Sequence, residues 1–179
     1  MRIRVLGLSV LGVLMCCPIA AANPNEAEAA IGTVLDTFHR AASEADGKLY
    51  FSLFTGDAVF IGTDITERWS IDQFKAFAAP YFSKGQGWTY VPGKRHVAIL
   101  PGGVVAQFDE ILSNESYGTC RGTGVLILTP AGWRISMYHL TIPIPNELAR
   151  DVVGRIKEFK GKNLKEFKGD TTVSETDGP

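Results

Sequence analysis

Between Trp88 and Ile142 the chain holds four runs of strand-forming residues, separated only by short groups of turn formers. The runs are Trp88 to Leu100, Val104 to Ser113, Thr119 to Leu128 and Trp133 to Ile142. The links are Pro101-Gly102-Gly103, the stretch NESYG and Pro130-Ala131-Gly132. Links this short leave no room for the crossover that joins parallel strands, so they dictate an antiparallel meander. Pro143 and Pro145 end it, because neither can donate to a ladder.

What precedes the meander has a different period. Ile31, Val34, Leu35, Phe38, Ala41, Ala42 and Ala45 recur at helical spacing over residues 26–46, with Asp46-Gly47 as a stop. Lys48 to Phe54 reads as a short second helix, and DAVFIG, residues 57–62, as a strand. TDITERW reads as a loop leading into Ser70-Ile71-Asp72-Gln73, which has the form of a capping box. The helix that follows places Ile71, Phe74, Phe77 and Ala78 on one stripe and ends between Pro80 and Gly87. After the sheet, Asn146 to Phe159 holds a further helical pattern, and the charged remainder reads as a tail. No internal repeat is read. The fold class expected is α+β, a cone in which a curved antiparallel sheet wraps around the N-terminal helices.

Residues 1–22 carry a leader pattern: Arg2 and Arg4, the apolar run Val5 to Met15, then Ala20-Ala21-Ala22 before Asn23. The run is too short to span a bilayer. Cleavage after Ala22 predicts a periplasmic or secreted protein; lipidation at Cys16 or Cys17 fits less well, since Met15 and Cys16 are poor neighbours for it. Removal of the leader leaves Cys120 without a cysteine partner and moves the net charge from −1 to −3. Nothing is basic enough to suggest nucleic acid, and no later segment is long and apolar enough to cross a membrane. The division expected is leader 1–22, domain 23–148, and helix with tail 149–179.

The order of elements and the stretches GTDITERW, WTYVPGKRHVAIL, FDEIL, YGTCRGTGVLIL and GWRISMYHLTIPIPN resemble the SnoaL-like branch of the nuclear transport factor 2-like superfamily, over residues 26–148. The resemblance implies a cone with a pocket at its open end. It also implies either isomerase, cyclase, dehydratase or hydrolase chemistry or a binding or association domain, and a homodimer formed through the opposite sheet face. Fold alone does not choose among these.

The candidate site residues are polar groups set into apolar strands. Parity groups Trp133, Ile135, Met137 and His139 on one face of the last strand. Glu110 shares its strand face with Val104, Ala106 and Phe108, which marks it as the acid expected to point inward; Asp109 falls on the other face. A buried carboxylate needs a partner, and Arg121 or Arg95 is the expected one, with His139 and Tyr138 near the cavity mouth. In an enzyme, Glu110 or His139 would be the base, and Tyr138 or Arg121 would hold an oxyanion. The alternative is a structural ion pair at the cone's end. Asp64, Glu67 and Arg68 are further candidates for ligand contact, as are Trp88, Arg95, His96, Asp109 and Cys120; otherwise the three loop residues form a helix-entry charge cluster. Cys120 reads as a small buried residue, or as a partner of His139 or His96. The three histidines, His39 among them, form no metal spacing, and RGTG is weak as a phosphate loop. No cofactor is expected. The ligand expected is a small apolar or carbonyl-containing molecule.

Overall fold

The computed structural model describes the backbone of residues 24–169 and the side chains of residues 25–161; the expected leader, its cleavage point and the last ten residues lie outside the described residues. Helix α1, Pro24–Ser43, buries Ile31, Leu35, Phe38 and Ala42 along one stripe. Burial of each large side chain contributes about 1.5–3 kcal/mol. Asp46 caps α2, Gly47–Ser52, by accepting from Leu49 N at 2.9 Å. The capping box before α3, Ile71–Phe82, is complete: Gln73 N donates to Ser70 Oγ at 3.3 Å and Ser70 N to Gln73 Oε1 at 2.9 Å.

Six strands form one sheet: β1 Phe54–Ile61, β2 Arg68–Ser70, β3 Val91–Ile99, β4 Val105–Asn114, β5 Gly118–Thr129 and β6 Gly132–Thr141, in the order β2-β1-β6-β5-β4-β3. The sheet is curved and unclosed, with the helices on its inner face. The meander β3 to β6 is antiparallel, as the short links require. The sheet as a whole is mixed, which corrects the all-antiparallel expectation: β1 lies parallel to β6. Helix α3 and four further strands separate the two in sequence, ample chain for a parallel return. Part of the expected TDITERW loop is the strand β2, paired to β1 as Ile61 with Arg68 and Phe60 with Trp69. The C-terminal helix α4, Ala149–Gly169, runs ten residues past Phe159, where a tail was expected.

Two irregularities decide which side chains face the helices. On β6, Met137 pairs with Val125 but Ile135 pairs with Leu126, so Ser136 is an extra residue with no partner. Such a bulge shifts parity by one. Trp133 and Ile135 point inward before it, and Tyr138 and Leu140 after it. On β3, Pro92 pairs with Leu112 and Arg95 with Glu110, so Gly93 and Lys94 together span one partner residue. That bulge sets Arg95 on the inner face with Val97 and Ile99. The β3–β4 turn has four residues between Leu100 and Val105, with Gly102 and Gly103 at φ 96° and 71°, values that favour glycine.

Candidate functional site

Glu110, on the inner face of β4, is fully buried, with 0 % of its surface exposed. A carboxylate there must be compensated, and both its oxygens are. Oε1 accepts from His39 Nε2 at 2.6 Å and from the Tyr138 hydroxyl at 3.3 Å. Oε2 accepts from Arg95 Nε at 2.8 Å, with Nη2 also at 2.8 Å. Arg95 continues outward: its Nη2 lies 2.9 Å from Asp36 Oδ1, and Nη1 donates to Gly32 O at 3.4 Å. The chain of groups thus runs from the core to the exposed Asp36. Burial, reinforced by the nearby Glu110 charge, raises the Tyr138 hydroxyl well above its usual range, which keeps its proton available for donation.

Two expectations are corrected by the Ser136 bulge. His139 does not share the wall of Trp133 and Ile135; it lies on the outer face, paired with Thr123. Tyr138 takes the inward place instead. Of the two arginines considered for Glu110, Arg95 is the partner, while Arg121 is exposed on the outer face opposite Ile111 and Thr141. His96, Asp109, Thr123, His139, Ile61 and Arg68 form one row across all six strands on that outer face. His96 Nδ1 stands 3.5 Å from Asp109 Oδ2. None of these reaches the interior. Cys120 points inward and is buried, so the sheet separates it from His139 and His96, and no Cys–His pair forms. Burial raises its thiol pKa.

The sequence reading passed over His39. The signal was present: His39 follows Leu35 by four residues, which puts it on the buried stripe of α1, and it is 6 % exposed. The RGTG stretch also has a structural reason. A side chain at Gly122 would place Cβ 2.3 Å from the Tyr138 hydroxyl and 3.1 Å from Glu110 Oε1, and one at Gly124 would strike the Phe108 ring. These glycines leave space for the buried cluster.

The cluster does not line the aromatic hollow of the cone. That cavity, about 250 Å³, is walled by Phe60, Trp69, Phe74, Phe77, Trp88 and Tyr90, with Tyr117 and Leu140 nearer the β-strand ends. The Phe60 ring forms the partition: it stacks on Tyr138 at 5.6 Å and 13° on one side and lines the hollow on the other. Glu67 is the charged residue of the wall. It is held by a tight loop in which Gly62 N donates to Glu67 O at 2.8 Å and Asp64 N to Glu67 Oε2 at 3.1 Å. A Cβ at residue 62 would stand 2.2 Å from that Oε2, so glycine there admits the carboxylate. Asp64 itself is exposed and turns the loop; hydrogen bonds from the Thr66 hydroxyl and N–H, with a smaller part from Lys160, hold its carboxyl below the usual range. Burial above all pushes Tyr90 up to about 12. Of the residues expected to touch a ligand, the structure brings Glu67 and Trp88 to the hollow and sends Arg68, His96 and Asp109 elsewhere. Among the described residues no group of His, Cys, Asp and Glu is arranged to hold a metal.

Helices followed by a curved, unclosed sheet define the cone fold of the nuclear transport factor 2-like and cystatin-like proteins, and the comparisons with known proteins bear out that fold. The SnoaL-like domain family matches residues 31–145, and the chain belongs to that family. A domain of unknown function with a cystatin-like fold from Nostoc punctiforme is similar with a TM-score of 0.62 at 14% identity, over 82% of this chain and 99% of that one. A proposed dehydratase of the nuclear transport factor 2-like family from Streptomyces avermitilis gives 0.59 at 14% identity, over 69% of this chain and all of its own. A proposed aromatic ring hydroxylase from Novosphingobium aromaticivorans gives 0.56 at 18%, over 69% and 93%. Identities this low carry the fold and not the chemistry. No curated protein matches the chain.

Proposed function

We propose that this SnoaL-like domain binds a small, flat, largely apolar molecule in the aromatic hollow and holds a hydrogen-bond donor of that molecule on Glu67. The observation that carries the reading is the composition of the wall: stacked aromatic rings on most sides and one carboxylate admitted by Gly62. Aromatic walls give a planar ligand area and stacking, and a few placed polar groups fix its orientation. Of the two bases expected in an enzyme, Glu110 is enclosed by its own partners and His139 lies on the outer face, and neither lines this hollow. Any acid–base step in the hollow would therefore fall to Glu67, and the reading adopted is binding.

Titration calorimetry with 2-naphthol and 2-methoxynaphthalene tests it. The naphthol, which keeps the donor, should bind saturably and about tenfold more tightly, the difference that one hydrogen bond of about 1.4 kcal/mol supplies. Glu67→Gln should narrow that preference and Trp88→Ala should weaken both ligands. Absence of saturable binding by either compound would overturn the reading.

The same proposal includes export, supported by the leader pattern of residues 1–22, and a homodimer. The support for the dimer is the outer sheet face, where Val59, Ile61, Val125, Ile127 and Met137 stand half-buried on the side away from the helices. Sedimentation equilibrium of the chain and of Val125→Lys tests it; a monomer at all concentrations would end it.

A further inference from the structure

Strand register sends several unconnected segments out at one end of the cone. β1 and β6 are parallel, so the loop after Ile61 and the exit after Thr141 leave together, and Arg121 pairs with Thr141, which brings the β4–β5 turn to the same end. Each segment carries an exposed apolar side chain: Ile65 at 87 % exposure, Tyr117 at 53 %, and Ile142 and Ile144 at 41 % and 46 %. Gly62, Thr63, Glu67, Tyr117 and Leu140 of the hollow lie at this end, so the exposed apolar side chains and this part of the hollow share one end of the cone.

Helix α4 departs from the same place. Its Lys160 is close enough to Asp64, in the loop at that end, to act on the carboxyl. Several of its apolar residues stay uncovered: Val153, Ile156 and Phe159 are 47 %, 46 % and 65 % exposed, and among the described side chains of α4 none joins the buried core. Over Ala149–Gly169 the sequence holds seven Lys or Arg against three Asp or Glu, a charge of +4 in a chain whose total is −1. The motif KEFKG occurs twice in it, at 157–161 and 165–169, an internal repeat that the reading of the sequence missed. Its period of eight is close to two helical turns. A helix with one apolar face, a cationic remainder and low overall hydropathy is the form that lies in a lipid interface rather than crossing the bilayer. No helix among the described residues is long and apolar enough to cross.

We propose that this end of the cone is a membrane-docking surface: α4 lies among the headgroups of an anionic phospholipid bilayer, and the exposed apolar side chains bring this end of the hollow against it. The docking claim stands on those side chains and the helix alone. That the hollow then takes its ligand from the bilayer rests on the binding reading above.

The test is cosedimentation of the chain beginning at Asn23 with vesicles of phosphatidylcholine alone and of phosphatidylcholine mixed with phosphatidylglycerol. The chain should pellet with the anionic vesicles at least about tenfold more than with the neutral ones, and less as salt rises. The pair Ile156→Ser with Phe159→Ser, and separately Lys157→Gln with Lys160→Gln, should each cut anionic binding about tenfold. Their melting temperatures should match the parent, since these side chains lie outside the core. Three outcomes would overturn the proposal: no pelleting with either vesicle, equal pelleting with both, or variants that bind as the parent does. If the Ser pair instead dissolves a dimer in sedimentation equilibrium and no vesicle binding is seen, the face belongs to a second copy and the proposal is wrong. Naphthol binding, measured without vesicles, separates failure of docking from failure of the binding reading.

Discussion

His39 and Glu110 meet at 2.6 Å across 71 positions of sequence, and that contact ties α1 to β4, the strand next to the β3 edge of the sheet. With Arg95 and Tyr138 on the other lone pairs, Glu110 is a carboxylate whose partners all come from different elements. The consequence is that the residue which looks most catalytic in the sequence holds the cone together, and the hollow beside it is a separate chemical space.

Removing the carboxylate should therefore cost stability and leave binding alone. Glu110→Ala breaks a buried pair and strands Arg95 and His39, for which a loss of about 3–5 kcal/mol is expected in urea unfolding. Among molecules that remain folded, affinity for 2-naphthol should stay within about twofold of the parent. A folded variant with the affinity abolished would show that the two regions are one site.

Gly122 should couple to Tyr138. Gly122→Ala drives a methyl group to 2.3 Å from the Tyr138 hydroxyl, and that ring cannot retreat because Phe38, Phe60 and Phe108 surround it. The expected cost is about 1–3 kcal/mol. Tyr138→Phe removes the nearer of the two struck atoms, so the double variant should be less destabilised than the two single losses combined, a coupling that a double-mutant cycle measures.

High pH should unfold the protein through its buried tyrosines. Tyr50 and Tyr138 both have folded-state pKa values raised well above 10, burial being the first cause for each. A group raised on folding contributes stability that is whole below its unfolded pKa and is lost as pH rises above it. Above about pH 10 the unfolded chain releases protons that the folded chain keeps, so stability should fall by up to about 1.4 kcal/mol per pH unit for each of these two. Urea midpoints taken from about pH 9 to about pH 11 check the slope, and Tyr138→Phe should make it shallower.

The complete capping box gives a smaller, local prediction. Ser70→Ala removes the acceptor for Gln73 N and should cost about 1 kcal/mol. Ser70→Gly loses the same acceptor but keeps a backbone suited to the cap, so it should cost only a few tenths, and thermal melting of the two variants checks the difference.

The meander, its turns, the cap at Ser70 and the inward direction of Glu110 followed from sequence alone, because each depends on neighbours within a few residues: alternation of apolar groups, glycine at a turn, a serine three residues before glutamine. The likeness to SnoaL-like domains rests on the same local patterns in order. What tertiary structure decided was which residues share the interior. One unpaired residue at Ser136 turned His139 outward and Tyr138 inward, and the Gly93–Lys94 bulge put Arg95, rather than Arg121, on the carboxylate. Bulges leave the alternation on either side intact while shifting its phase, so no local pattern announces them. His39 was hidden for a related reason: its place on the α1 stripe says that it is buried, but only the packing of helix on sheet says against what.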